Sequence, residues 1–313
     1  MVARPSRSRS VRRRRVVLRS ALVAMALVVV GVGLVVVRTQ LRAQLVNDGA
    51  QSVNPNDAYG ISHVHGLGVN PADDSLIVAT HNGSFRLPAG DDTAVRIGDS
   101  LQDTMGFTVV GPDHFLGSGH PDLAGRRAGQ PNQLGLIEST DGGSAWSAIA
   151  LGGEVDFHGL AASGGRTYGW DSGTRRFMMS TDQREWETRS TLDLFGFDVD
   201  PADPDHLVAA GPQRLVESFD GGRTWAAAVG PLLVAISWDQ TAGLWGVGAS
   251  GDVHRRERSG WTYVGALPGD VQAVLATPDA LYAAASDVDS RTGIYRSVDA
   301  GETWELRYRD PEP

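Results

Sequence analysis

The sequence predicts an all-β protein, a six-bladed β-propeller of four-stranded antiparallel blades that is preceded by one N-terminal transmembrane helix. Two of the three observations behind this prediction are repeats: an eight-residue S-x-D-x-G-x-x-W turn motif, and a short apolar strand motif centred on a small residue. The third is an uncharged apolar segment that follows an arginine-rich start. Repeats with a period of 20–50 residues indicate a repeat architecture.

The turn motif, known as the Asp-box, predicts where a β-hairpin turns. Three copies are complete and a fourth is one residue short: Ser139, Asp141, Gly143 and Trp146; Ser218, Asp220, Gly222 and Trp225; Ser297, Asp299, Gly301 and Trp304; and Ser180, Asp182 and Trp186. We expect the Ser hydroxyl and the Asp carboxylate to hydrogen-bond the backbone of a tight turn, in which glycine supplies a positive φ. We expect Trp to begin the next strand and to pack inward. The motif is therefore a fold element and not a catalytic one.

The strand motif gives the number of blades. Its small residues are Gly66, Gly106, Gly159, Gly196, Ala235 and Ala273. They are 37–40 residues apart except for one spacing of 53, which marks an insertion in the second unit. Each unit reads as four short strands separated by turns, which is the pattern of a propeller blade, and the small residues suit the crowded centre. The sequence does not decide between two ways in which the ring of blades could close. In the first, residues 45–60 add a strand to the last blade; in the second, the first and last blades only pack against each other.

Charge divides the chain into an arginine-rich start and an acidic remainder. The first 43 residues contain ten Arg and no acidic residue, whereas all 37 Asp and Glu lie beyond them. The 18 residues 20–37 carry no charge and are long enough to cross a bilayer as a helix. Eight Arg precede this segment, so the positive-inside rule keeps the N-terminus in the cytoplasm. We expect no nucleic-acid partner, because the apolar run follows the basic residues directly.

Four segments follow from this pattern. They are a basic cytoplasmic tail over residues 1–19, a transmembrane signal-anchor over 20–37, a linker over 38–55 and the propeller over 56–309. No small-x-small cleavage site follows the apolar segment, which favours an uncleaved anchor in the cell membrane with an extracytoplasmic propeller. The chain has no Cys, so disulfides are excluded and stability must come from the core of the repeat.

Four Asp-boxes on six four-stranded units resemble the sialidase or BNR-repeat superfamily, and residues 55–309 look like its small bacterial, membrane-anchored glycosylhydrolase-like members. The resemblance implies the propeller fold and a ligand at its central mouth. It also implies a triad of Arg and a Tyr–Glu pair in catalytic members, but neither is identifiable here. Arg86 falls on a third strand, and no Arg lies on any predicted innermost strand. The superfamily includes non-catalytic receptors and photosystem assembly factors, so the fold does not fix a function.

The predicted mouth gathers histidines and carboxylates from the first three blades. In such propellers the innermost strands begin at the ligand-binding face, and the Asp-box turns lie on the opposite face. The predicted ligand-binding residues are His63, His65, His81, His120 and His158. Four of them, His63, His65, His120 and His158, form the predicted zinc or copper site. His63 and His65 are expected to alternate onto one side of a strand.

The mouth carboxylates Asp103, Asp122 and Asp156 are candidates for acid and base catalysis. Asp103 and Asp156 have an alternative role as turn-capping residues, because Asp recurs at this position in four of the six blades. Asp122 belongs to the long insertion of the second unit, where function concentrates on a rigid scaffold.

Three functions remain open from the sequence. The first is a binding module that holds a metal ion or a small polar or carbohydrate ligand at the mouth. The second is a glycoside hydrolase that uses the mouth carboxylates. The third is an assembly scaffold for a membrane-protein partner.

Overall fold

The computed structural model describes residues 60–310, which form six four-stranded antiparallel sheets. Every sheet consists of four strands that are consecutive in the sequence. The fold is therefore the predicted six-bladed propeller, and the predicted blade count and strand number are confirmed.

The first three blades contain strands β1 to β12. Blade 1 comprises β1 (Val64–Val69), β2 (Leu76–Thr80), β3 (Gly83–Leu87) and β4 (Val95–Ile97). Blade 2 comprises β5 (Asp103–Gly111), β6 (His114–His120), β7 (Leu136–Ser139) and β8 (Ser147–Ala150). Blade 3 comprises β9 (Phe157–Ser163), β10 (Arg166–Asp171), β11 (Arg176–Ser180) and β12 (Glu187–Thr191).

The last three blades contain strands β13 to β24. Blade 4 comprises β13 (Gly196–Val199), β14 (Leu207–Ala210), β15 (Leu215–Ser218) and β16 (Ala226–Ala227). Blade 5 comprises β17 (Ala235–Asp239), β18 (Gly243–Val247), β19 (Asp252–Glu257) and β20 (Gly260–Ala266). Blade 6 comprises β21 (Asp270–Ala276), β22 (Leu281–Ser286), β23 (Thr292–Ser297) and β24 (Glu305–Arg309).

The first strands of the six blades contact one another in a closed ring, β1–β5–β9–β13–β17–β21 and back to β1. Each of them contains one of the predicted small residues, and at Gly106 the crowding explains why. A Cβ added to Gly106 would lie 2.5 Å from the carbonyl oxygen of Phe157 on the next blade, closer than any real contact. A larger residue there would force the ring apart, so the small residue fixes the distance between blades 2 and 3.

Among residues 60–310 the ring closes by packing and side-chain contacts, with no strand shared between the first and last blades. The backbone N–H of Ile61 donates to Oδ1 of Asp310 at 2.6 Å, and that of Val64 donates to Oε1 of Gln272 at 2.7 Å. Apolar side chains of blades 1 and 6 form one buried cluster across this seam, including Val64 and Ile294. The first predicted mode of closure depends on residues 45–60, and all of these but residue 60 lie outside the described residues.

Hydrophobic burial between neighbouring blades supplies the core. The largest fully buried side chains include Phe115, Phe157, Tyr168 and Phe177, which lie on blades 2 and 3. The rings of Phe177 on blade 3 and Phe197 on blade 4 meet edge to face at 4.9 Å between centroids. Such contacts join adjacent blades. They stabilise a chain that has no Cys and therefore no disulfides.

The S-x-D-x-G-x-x-W turns make the expected hydrogen bonds. In all four copies the Ser Oγ donates to the Asp Oδ1 at 2.8–3.0 Å and accepts a backbone N–H at 2.8 Å. The glycine of the motif has a φ between +82° and +92° in each complete copy. In the short copy Gln183 takes the left-handed conformation instead, with φ +64°. In every copy the Trp immediately precedes the fourth strand of its blade, as predicted.

The predicted tail, anchor and linker, residues 1–55, lie outside the described residues. Within residues 60–310 no helix is long and apolar enough to cross a membrane.

We expect Ser218→Ala to lower the free energy of unfolding by about 1–3 kcal/mol, because it leaves the buried N–H of Gly222 without its acceptor. Ser144→Ala is the matched control in an equivalent turn. Its exposed hydroxyl donates only to the carbonyl of Asp141, so we expect a change within about 0.5 kcal/mol. Urea unfolding of the full chain measures both, and equal losses would contradict this account of the turn.

A hydrogen bond between first strands predicts a pH dependence of stability. Oδ2 of Asp198 accepts the backbone N–H of Trp238 on blade 5 at 2.7 Å, and Ser237 accepts that of Ala276 on blade 6 in the same way. Burial raises the pKa of Asp198 from 3.8 to about 7. The backbone N–H groups of Trp238 and Val199 favour the carboxylate and lower this pKa, but burial has the larger effect. The folded protein therefore holds this proton more tightly than the unfolded chain does, and stability falls as the pH rises from about 4 to about 7.

We expect Asp198→Ser, which copies the acceptor of the next blade, to remove this component of the pH dependence. At about 1.4 kcal/mol per pKa unit the component amounts to roughly 2–4 kcal/mol, and the partial exposure of Asp198 favours the lower end. The measurement is the free energy of unfolding at pH 5 and pH 8 for wild type and variant. Because every other titrating group is common to both proteins, an unchanged difference between the two pH values would refute the assignment.

Candidate metal-binding mouth

The candidate site lies where the first strands begin and the second strands end. Because the strands of a blade are antiparallel, these positions share one face of the propeller, opposite the Asp-box turns. This face, the mouth, carries residues from blades 1, 2 and 3: His63, His65, His81, Asp103, His120, Asp156 and His158. The structure therefore brings the predicted histidines and two of the three predicted carboxylates to one face.

A β-bulge at the start of the first strand sets the direction of several of these side chains. In blades 1, 2, 3 and 6 the residue before the small residue has no partner in the ladder, namely His65, Met105, His158 and Gln272. A bulge re-aims the side chain of the extra residue, and bulges recur next to functional sites. The sequence did not reveal the bulges, because the extra residue leaves the repeat length unchanged.

His63 occupies a different position from the one predicted. It precedes β1, its φ is +20°, and its ring meets that of His65 edge to face at 4.8 Å. The predicted alternation of the two histidines along one strand is therefore wrong, because His65 lies in the bulge and His63 lies before the strand. Their rings are nevertheless in contact.

Three of the mouth residues converge on one point, and we name them the Asp103 cluster: His65, His81 and Asp103. Nε2 of His65 lies 3.1 Å from Oδ1 of Asp103, and Nδ1 of His81 lies 2.9 Å from Oδ2. One ligand atom from each of the three residues lies within 4.8 Å of the others. The side chains of His65 and Asp103 are 9% and 12% exposed, whereas that of His81 is 47% exposed and borders the solvent.

The contacts within this cluster keep its carboxylate ionised. Burial acts to raise the pKa of Asp103, but the contacts from His65 and His81 outweigh it and lower that pKa to about 2. The carboxylate is therefore ionised at neutral pH. Nε2 of His65 and Oδ1 of Asp103 are both buried, and each is the nearest polar partner of the other.

A second group, the Asp156 cluster, consists of His120, Asp156 and His158. Oδ2 of Asp156 lies 2.9 Å from Nε2 of His158 and 3.4 Å from Nε2 of His120. Burial acts to raise the pKa of Asp156, but the contacts from the two histidines outweigh it and hold that pKa well below its ordinary value. The contact with Asp156 raises the pKa of His120 to about 9, with the carbonyl of Asn132 helping and burial opposing. His120 is therefore an imidazolium at neutral pH.

The two clusters are built in the same way by successive blades. In each, a histidine after or at the end of the second strand contacts an aspartate at the start of the next blade's first strand: His81 with Asp103, and His120 with Asp156. Asp103 and His120 are direct partners in the β5–β6 ladder, so the clusters adjoin. The corresponding aspartates of blades 4 and 6, Asp193 and Asp270, are exposed.

Asp122 belongs to neither cluster. It lies in the insertion of blade 2, where the structure has a short helix α1 (Leu123–Arg127) that the sequence did not predict. Its Oδ1 accepts the N–H of Gly125 as the helix N-cap, and its Oδ2 accepts that of Leu101. Both carboxylate oxygens therefore hold the backbone of the insertion in place.

Comparisons with known proteins agree with the fold. No family model matches the chain, and no curated protein matches it. Among solved structures, an ancestral GH74 enzyme is similar over 79% of this chain at 13% identity with a TM-score of 0.50. A chain of a nidogen/laminin complex is similar over 75% of this chain at 14% identity with a TM-score of 0.54. The extracellular domain of a hybrid two-component system from B. thetaiotaomicron is similar over 79% at 11% identity with a TM-score of 0.52.

The lengths of these proteins differ widely. The match covers 38% of the GH74 enzyme and 33% of the B. thetaiotaomicron domain, but 97% of the chain from the nidogen/laminin complex. At identities of 11–14% the similarity shows a shared architecture and carries no activity with it. This chain is thus a six-bladed propeller whose solved neighbours include GH74 enzymes and extracellular domains.

Proposed function

We propose that this protein is a membrane-anchored, extracytoplasmic propeller that binds a zinc or copper ion at its mouth. The observation that carries the proposal is the Asp103 cluster, in which ligand atoms of two imidazoles and one ionised carboxylate lie within 4.8 Å of one another. His63, whose ring contacts His65, lies beside this cluster.

The spacing of the donor atoms suits a transition metal. Zinc bonds of about 2.0–2.1 Å in tetrahedral geometry separate neighbouring ligand atoms by roughly 3.3 Å. The two contacts of Asp103 are 3.1 and 2.9 Å, so each needs to lengthen by only a few tenths of an ångström to admit the ion. Two imidazoles with a carboxylate are ligands that zinc and copper accept, and a fourth position remains for water or a small ligand.

The mouth carboxylates favour binding over glycoside hydrolysis. A glycosidase needs one carboxylic acid that keeps its proton near neutral pH, which requires a raised pKa. The histidine contacts lower the pKa of both Asp103 and Asp156, so neither is the protonated acid of such a pair. Asp122 uses both oxygens to hold the insertion. The GH74 similarity therefore supports the scaffold alone.

The test is elemental analysis of the full-length chain, purified in detergent without a His tag and equilibrated with Zn(II) or Cu(II). We expect bound metal in the wild type. His81→Ala and Asp103→Asn should each remove one ion or weaken its binding by more than the ~10–100-fold typical of an outer-shell change. His114→Ala is the matched control, because His114 contacts Glu138 away from the mouth. A metal-free wild type, or equal loss in all three variants, would refute the proposal.

The other two candidate functions give distinct results. Turnover of a glycoside panel that disappears in Asp103→Asn would assign hydrolysis instead. Co-purification of one membrane protein with a metal-free chain would assign an assembly role. One structural neighbour is part of a nidogen/laminin complex, which is a protein assembly, but the 14% identity restricts that likeness to the fold.

A further inference from the structure

His81 is the exposed member of the Asp103 cluster. Its side chain is nearly half-exposed, whereas those of His65 and Asp103 are mostly buried. It is also one of the two residues between β2 and β3, so it lies in a loop and not in a strand. Fixing such a side chain and its backbone costs conformational entropy. The affinity of the cluster for an ion therefore depends on how firmly this loop is already held.

Thr80, the last residue of β2, holds the loop from within. Its side chain is fully buried. Its Oγ1 donates to the carbonyl oxygen of Gly83 at 2.7 Å and accepts the backbone N–H of Asn82 at 3.1 Å. Hydroxyl side chains stabilise turns through local hydrogen bonds of this kind. The two bonds close the backbone around His81.

The loop is also tied to the segment that precedes β1. The backbone N–H of His81 donates to the carbonyl oxygen of His63 at 3.1 Å. Nδ2 of Asn82 donates to Oγ of Ser62 at 2.7 Å. From these residues the chain continues directly into β1, which contains His65. Hydrogen bonds between the loop and this segment therefore place the two imidazoles of the cluster on one frame.

We propose that Thr80 is a positioning residue of the Asp103 cluster. Its hydroxyl holds the loop in the conformation in which His81 meets Asp103, and so sets the affinity of the cluster for a metal ion. Ligands that are held in place before the ion arrives bind it more tightly, and removal of a group that orients a ligand typically weakens metal binding by ~10–100-fold. This inference rests on the proposed function, because it requires that the Asp103 cluster binds the ion.

Other blades show that the propeller does not need a hydroxyl at this position. Thr80 pairs with Val64, the residue before the bulge of the first strand. In blades 2 and 6 the residues that pair in the same way are Gly119 and Ala285. Neither has a side-chain hydroxyl, although both blades are complete four-stranded sheets. The hydroxyl of Thr80 therefore serves the loop of blade 1 and not the architecture as a whole.

The experiment is a calorimetric titration of the metal-stripped full-length chain, in detergent, with Zn(II). We expect Thr80→Val, which keeps the shape of the side chain and removes its hydroxyl, to weaken zinc binding by about 10–100-fold. Thr80→Ser returns the hydroxyl and should restore most of the lost affinity. Thermal unfolding checks that each variant is folded. Thr80→Ala, which copies Ala285 of blade 6, replaces Thr80→Val if that variant fails to fold.

Thr277→Val is the matched control. Oγ1 of Thr277 donates to the carbonyl oxygen of Ala280 at 2.7 Å and accepts the backbone N–H of the same residue at 3.2 Å. These bonds lie in the turn between β21 and β22, on the face opposite the mouth. The variant loses hydrogen bonds of the same kind away from the cluster. We expect it to lower the temperature of unfolding as Thr80→Val does, but to bind zinc as tightly as the wild type.

The outcomes separate this inference from the proposed function. Zinc binding by Thr80→Val as tight as that of the wild type would overturn the positioning role and leave the proposed function intact. Equal weakening in Thr277→Val, or no recovery in Thr80→Ser, would overturn it as well, because the effect would then not come from the hydroxyl at the loop. No zinc bound by the wild type would overturn the proposed function and this inference with it.

Discussion

The structure depends on the contact between six first strands around one axis. Each of these strands packs against two neighbours, and at Gly66, Gly106 and Gly159 an added Cβ would lie less than 3 Å from the next blade. This constraint fixes the order and separation of the blades. It also places the start of every first strand on the same face, so that residues from three blades meet although they are far apart in the sequence.

The polar groups at the mouth carry a cost. Two carboxylates are taken out of water, and burying a charge is unfavourable unless it is paired. Four histidines pair with them, and their contacts outweigh the effect of burial on the pKa of both aspartates. Blades 4 and 5 contribute no residue to the two clusters. At the positions equivalent to His65 and His158 they have Phe195 and Val234. The concentration of titratable groups on adjoining blades therefore points to a role other than holding the fold together.

The fold could be predicted from the sequence because its signals are local and repeated. The small residues such as Gly66 recur at nearly constant spacing, and each turn motif has a fixed chemistry. The mouth was predicted only in part. His65 and His81 belong to one blade, but their common partner Asp103 comes from the next blade, so only the angle between blades brings them together.

Other details had no sequence signal at all. The bulge that displaces His65 adds nothing to the repeat length, so the sequence suggested a regular strand. The helix α1 is five residues long and contains Gly125, and it is held by the cap from Asp122 and not by helix propensity. The sequence grouped His120 and His158 with His63 and His65 as one set of metal ligands. In the structure His120 and His158 contact Asp156 instead, and this grouping depends on how the blades pack.

The way in which the ring closes has a consequence for how such a gene can change. Within residues 60–310 every blade is one uninterrupted segment, and the seam between blades 6 and 1 has side-chain contacts such as that of Asp310 with Ile61. In propellers whose last blade borrows a strand from the other terminus, duplication of a blade breaks that exchange. Within residues 60–310, a repeat unit can therefore be copied without separating hydrogen-bonded strands.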